Sequence, residues 1–205
     1  MDQSKTISKN NNPKNAHDRN DRTKKPAKKT PRKITDSYLH NSGLYYLERF
    51  SSSAENFRQV MLRKVRKSCM AHPEQEFDAC ADMVDALVTK FIDLDLLNDQ
   101  QYTRAMVTTL RRRGKSERYI LGFLKSKGLD TALIQSTLEQ YAQQNLAEDG
   151  RTDKDAALIF ARKKRLGPYR RDKEKHTQKE LGAFARAGFS YEIARKIIEC
   201  EDEGY

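Results

Sequence analysis

Residues 116–139, SERYILGFLKSKGLDTALIQSTLE, lie without a gap over residues 176–199, HTQKELGAFARAGFSYEIARKIIE, when the chain is shifted by sixty positions. Leu121 and Gly122 meet Leu181 and Gly182, Leu124 meets Phe184, Gly128 meets Gly188, and Leu129 meets Phe189. Beyond the turn Asp130 meets Ser190, and Leu133, Ile134 and Leu138 meet Ile193, Ala194 and Ile198. In each copy the apolar residues step by three and four, halt at a glycine, and resume after a short polar side chain. That pattern is helix, tight turn, helix. The glycine takes the left-handed backbone that closes one helix, and Asp130 or Ser190 caps the next. Self-similarity at this period marks a repeat architecture, in which one unit buries its apolar face against its own helices and its neighbours.

Working outward, a weaker copy sits upstream. Phe57, Met61 and Leu62 fall over Tyr119, Phe123 and Leu124, and Ser52 with Glu55 offers a capping box at its start. There the glycine turn gives way to KSCMAHPEQEF, and its second helix carries Cys80, Val84, Leu87, Val88 and Phe91 on one face. Each copy has a leading helix, over roughly 38–50, 99–112 and 153–166. No alternating apolar run competes with these helices. The expected fold is therefore all-α: three tandem three-helix units, 36–98, 99–145 and 146–205, in an elongated array.

Composition supports that reading. Charged residues make up 34% of the 205 and hydrophobic ones 37%, which suits a shape with much surface per residue. The formal charge is +11, yet residues 1–35 hold eleven Lys and Arg against Asp2, Asp18 and Asp21, so they carry +8 of it. With almost no large apolar residue, this segment cannot offset the entropy of ordering and is expected to be disordered. It reads either as a polyelectrolyte arm for nucleic acid, through Lys24, Lys25, Lys28, Lys29, Arg32 and Lys33, or as a solubilising extension. No apolar run is long enough to span a bilayer and the N-terminus has no secretory h-region. Cys69, Cys80 and Cys200 show no disulfide-framework spacing, so the expected location is the cytoplasm.

Enzyme chemistry finds no footing. Cys69, His72 and Cys80 would give a metal three ligands and no fourth nearby. His17, His40 and His176 lack a nucleophile at a recognisable spacing, and no glycine-rich phosphate loop occurs. Glu148, Asp149, Asp153 and Asp155 read as the start of a helix capped by Thr152 rather than as a Mg²⁺ site. The expectation is no catalytic residue, no cofactor and no metal.

LLNDQQYTRAMV followed by RRRGKSERYILGFLKSKGLD, the later FARAGFSYEIARKII, and YLERFSSSAENFRQVMLRKV upstream together resemble the RecX family of recombination regulators. The resemblance covers about 36–200. One departure is Asp95, where the family pattern ahead of the second unit has glycine. What the resemblance implies is a protein of three-helix units that binds RecA recombinase filaments, lies along the filament groove, and restrains assembly, ATP hydrolysis and strand exchange. DNA would be a weaker, non-specific partner, with no membrane and a monomeric state. Two rival readings remain: a general DNA-binding protein that competes for DNA, and a helical adaptor for another acidic partner.

For the contact surface, two clusters stand at matching places at the ends of leading helices. Arg111, Arg112, Arg113 and Lys115 end the second unit's, and Arg162, Lys163, Lys164 and Arg165 end the third's. Basic residues near a helix C-terminus are favoured by the macrodipole, but three or four in a row, twice, exceed what that needs. Both clusters are expected to face a partner, DNA phosphates or acidic RecA residues. A sequence-reading helix-turn-helix is disfavoured because the helix after Gly128 presents Thr131, Gln135, Ser136 and Glu139, with no Arg or Lys. Tyr45 and Tyr46 leave two uses open, one stacking on a partner, at least one packing in the core.

Overall fold

A computed structural model describes residues 30–145, 153–171 and 176–200. Among these, all regular structure is helical: α1 (Asp36–Leu47), α2 (Ala54–Ala71), α3 (Phe77–Asp93), α4 (Asp99–Arg112), α5 (Glu117–Lys125), α6 (Thr131–Asn145), α7 (Asp153–Lys164), α8 (Thr177–Arg186) and α9 (Tyr191–Glu199), with a 3₁₀ turn at Gly167–Tyr169. None of these helices is long and apolar enough to cross a membrane. Lys24, Lys25, Lys28, Lys29, Glu148, Asp149 and Thr152 lie outside the described residues.

Three apolar clusters follow one another along the chain. Leu39 of α1, Phe57, Met61 and Val65 of α2 and Val84, Leu87 and Phe91 of α3 make the first. Tyr102, Val107 and Leu110 of α4 meet Ile120 and Leu124 of α5 and Ile134 and Leu138 of α6 in the second. In the third, the fully buried residues of α7 are the small Ala156, Ala157 and Ala161. The volume they leave is filled by Phe160, Phe184 and Phe189, whose ring centroids lie 5.3–5.8 Å apart.

The helix ends follow one rule. Gly128 (φ 77°) and Gly188 (φ 87°) hold the left-handed backbone that the repeat requires. Leu129 N–H reaches back to the carbonyl of Leu124, and Phe189 N–H to that of Phe184, while each apolar side chain folds under the corner. This is the Schellman closure. Asp130 then caps α6, its Oδ2 accepting from the N–H groups of Ala132 and Leu133 at 2.7 and 3.2 Å. Asp95 (φ 54°) occupies the same left-handed position after α3, one that glycine would hold without strain. Its Oδ1 accepts from Asn98, the residue that caps α4.

Two expectations need correction. Ser53, not Ser52, caps α2: its hydroxyl accepts from Asn56 N–H, while Ser52 is turned toward neighbouring polar groups. The boundary placed at residue 35 also moves back. Residues 31–35 are held on the α2–α3 connection, where Gln75 bonds both the N–H and the carbonyl of Ile34 at 2.9 Å, and Ser68 donates to Arg32 O at 2.8 Å. Ile34 is buried in the first core. The connection that lacks a glycine turn thus receives the incoming chain.

In the third core a charge stands where the others are apolar. Glu180 is buried and bonds Arg170 through both oxygens, at 2.5 and 2.6 Å, and its Oε2 also accepts from Gly167 N–H. The hydrogen bond from Arg170 holds its carboxyl below the ordinary glutamate value, against the opposing pull of burial.

Candidate partner-binding surface

The positions of the basic clusters follow from how successive units join. In the first two units the cap serine of the second helix does double duty. Ser53 donates from its hydroxyl to the carbonyl of Lys127 at 2.5 Å, and Ser116 to that of Ala187 at 2.7 Å. Each carbonyl immediately precedes a left-handed glycine of the next unit. One residue further, Ala54 N–H donates to Asp99 Oδ1 and Glu117 N–H to Asp153 Oδ1, both at 2.8 Å. Asp99 and Asp153 are the first residues of α4 and α7. Each joint therefore pins the start of one helix to both the corner and the leading helix of its neighbour, using donors a helix N-terminus leaves free.

The second joint contains Arg111. This residue was expected on the surface with its three basic neighbours, and that expectation is corrected: Arg111 is only 5% exposed. Its guanidinium bonds Asp153 Oδ1 and lies 3.3 Å from Glu117 Oε2. An arginine this buried needs partners of opposite charge, and these two carboxylates supply them. Arg111 is a structural residue of the joint.

The rest of both clusters is accessible in varying degree. Arg112 and Arg113 are exposed at the end of α4, and Lys115 is half-buried with Nζ 4.3 Å from the ring centroid of Tyr119. Arg162, Lys163, Lys164 and Arg165 are all exposed. Lys163 Nζ donates to the carbonyl of Arg113 at 3.0 Å, so the second joint brings the two clusters into contact. Between α5, α7 and α8 lies a cleft lined by Lys115, Tyr119, Phe160, Lys164 and Arg186 among others, with no acidic residue in its wall. Arg186 is not evident from sequence, because nothing in its spacing links it to either cluster.

Arg165 has φ 58°, the left-handed position that Gly114 fills after α4. On the first unit, Arg32 and Lys33 line a shallow groove with Tyr38, Tyr45 and Lys64, and Lys33 pairs with Glu74 at 2.6 Å. The two tyrosines part company there. Tyr46 stacks between Phe50 and Phe57, whereas Tyr45 is 59% exposed under the Arg49 guanidinium, 3.5 Å from the ring centroid. Cys69 and Cys80 pack in the first core, and His72 Nε2 sits 2.9 Å from Pro31 O. Among the described residues no group of His, Cys, Asp and Glu comes together that could hold a metal ion.

No family model matches the chain. It is 37% identical over 182 residues to the regulatory protein RecX of Myxococcus xanthus, covering 87% of this chain and 94% of that protein. It is 32% identical over 169 residues to the regulatory protein RecX of Agrobacterium fabrum, covering 82% and 85%. Among solved structures it is similar to the crystal structure of RecX from Lactobacillus salivarius, with a TM-score of 0.55 at 24% identity over 80% of this chain and 94% of that one.

Proposed function

The chain belongs to the RecX family of regulatory proteins, and from that premise we propose that it binds RecA–DNA filaments and inhibits or disassembles them. The observation that carries the reading is the meeting of two outward-facing basic clusters across the second joint, through Lys163 and the carbonyl of Arg113. A filament repeats its acidic and phosphate groups along an axis, and successive units that bring their cations together suit such a partner. Regulation then rests on differential affinity for one filament state, since a ligand that binds all states equally shifts nothing. The working units are 36–98 with the docked 31–35, 99–145 and 146–205, acting as a monomer in the cytoplasm, without catalysis. The contacts are Arg112, Arg113, Lys115, Arg162, Lys163, Lys164 and Arg165. The basic N-terminal segment adds weaker, non-specific attraction to DNA.

The deciding experiment measures RecA's DNA-dependent ATPase with DNA in large excess and this protein below stoichiometry. Filament binding predicts strong inhibition. A protein that merely competes for DNA gives almost none, and that result would sink the proposal. Removing residues 1–29 leaves the docked 31–35 in place. It should flatten the salt dependence of bare-DNA binding by up to ~0.9 for each phosphate the segment neutralises, and spare filament inhibition.

A further inference from the structure

Lys115, Tyr119, Phe123 and Lys127, at steps of four, form a row along α5 and just beyond its two ends. Tyr119 and Phe123 share one flank of the helix, ~6 Å apart along its axis, while Lys115 stands just before its first residue and Lys127, which also bonds Asn56, just after its last. The rings of Tyr119 and Phe123 lie parallel, 6.3 Å apart between centroids with 6° between planes. A cation closes each end: Lys115 Nζ is 4.3 Å from the Tyr119 centroid and Lys127 Nζ is 5.6 Å from that of Phe123. Core packing does not account for Tyr119. Ile120 and Leu124 of the same helix are fully buried and Phe123 packs against the edge of their core, while Tyr119 is 40% exposed.

Gly122 stands beside the rings, and a Cβ there would meet nothing within 4 Å. Neither a turn nor a close approach calls for glycine at this point, and glycine weakens a helix interior relative to alanine. Its effect is to leave the flank bare next to the two rings. At the Lys115 end the row opens into the cleft where Lys164 and Arg186 add two more cations.

We infer that this row and cleft form a track for single-stranded nucleic acid. Unpaired bases stack on Tyr119 and Phe123, and Lys115, Lys127, Lys164 and Arg186 hold the phosphates. Alternation of π faces and cations is what a single strand offers partners for, because every base has a face and every nucleotide a charge. A duplex hides its base faces, and an acidic peptide would use the cations but leave the rings idle. The inference rests on the reading that this side of the molecule meets nucleic acid, and it names the form.

The test is fluorescence anisotropy of the full chain with a labelled oligothymidylate, at salt low enough that purely ionic binding stays measurable. A matching abasic strand, with the same phosphates and no bases, is run beside it. Tyr119→Leu should lose roughly 5- to 100-fold in affinity for the thymidylate, the size of one lost base–aromatic stack, and nothing for the abasic strand. Gly122→Gln, built into open space, should melt no lower than the parent and bind the thymidylate more weakly. Parent-like thymidylate binding by both variants overturns the track, as does an equal loss for the two strands. These titrations contain no recombinase, so their failure leaves filament regulation standing, and loss of ATPase inhibition by the parent protein leaves them untouched.

Discussion

The joint between the first and second units and the joint between the second and third share a frame and differ in what fills it. Both hang on a cap serine that donates to the carbonyl before a left-handed glycine, and on an N–H that donates to the aspartate opening the next leading helix. At the first joint that aspartate receives a neutral N–H, and the only added polar contact across the corner is Lys127 with Asn56 at 3.2 Å, among the described residues. At the second, Asp153 also receives the buried guanidinium of Arg111, and Lys163 reaches across to the carbonyl of Arg113. Geometry is thus set by hydrogen bonds that recur, and an arginine–carboxylate pair is added at the second joint. One joint couples its units without an ion pair among the described residues; the other couples its units and takes Arg111 out of the exposed basic cluster.

The largest effect expected from breaking this difference is at Arg111. Arg111→Ala strands Asp153 beside an emptied site and should cost about 3–5 kcal/mol, the usual penalty for removing one partner of a buried pair. Arg112→Ala and Arg113→Ala, at exposed positions, should stay within about 0.5 kcal/mol of the parent. Chemical denaturation of the three variants measures this directly. Hydrogen exchange should place the Arg111→Ala loss in α4 to α9 and spare α1 to α3, as nearest-neighbour coupling in a repeat array requires. Equal stability of the three variants would mean that the second joint is no more charged in energy than the first.

Next in size are the corner glycines. At Gly188 an added Cβ would sit 2.6 Å from Ser116 Oγ, the hydroxyl that makes the joint, and at Gly128 it would sit 2.4 Å from Glu55 Cβ. Gly188→Ala and Gly128→Ala should each cost about 1–3 kcal/mol from backbone strain alone, with the clash added. Only the Gly188 change also disturbs a cap, so it should melt lower of the two. The shared frame is tested by Ser53→Ala and Ser116→Ala, each expected to lose about 1 kcal/mol as a missing N-cap does. Losses well above that in both would show that the bond to the next unit carries its own energy.

Sequence periodicity makes the helices and two of the three glycine-closed corners legible, because each is written locally. The upstream copy reads one residue out of register from sequence. Placing Phe57 over Tyr119 sets Ala54 over Ser116, so that comparison offers no cap, and Ser52 is read only from its spacing to Glu55; the structure places Ser53 over Ser116, so that Phe57 matches Ile120 and Met61 matches Leu124, all fully buried. The weaker copy has no glycine to anchor the comparison, and apolar residues at 57, 61 and 62 fit either register. The slip hides the exposed row on α5, since it makes Tyr119 the counterpart of a core phenylalanine. Arg111 is out of reach for another reason. Its neighbours in sequence are surface cations, and the carboxylate that draws it inward lies 42 residues away. Glu180 is similar: it takes the core position of Phe57 and Ile120, and only the fold supplies Arg170.

The smallest effect joins stability to the partner surface. After α4 the left-handed corner residue is Gly114, and after α7 it is Arg165, at φ 58°. A side chain in that region costs about 1 kcal/mol or more relative to glycine, because Cβ crowds the following carbonyl. Arg165 is exposed, so its side chain gains no burial to set against that strain. Strain kept at an exposed cation points to a use outside the fold. Arg165→Gly should therefore raise the unfolding free energy by up to about 1 kcal/mol and, if filament binding is its use, weaken inhibition of RecA's ATPase. Arg165→Asn, which tolerates the same backbone, should stabilise less and weaken inhibition as much, since it also lacks the charge. Measured together, melting and inhibition should move in opposite directions for both variants. A gain in stability with inhibition unchanged would remove Arg165 from the contact surface and leave the second joint with Arg112, Arg113 and the α7 lysines as its outward charge.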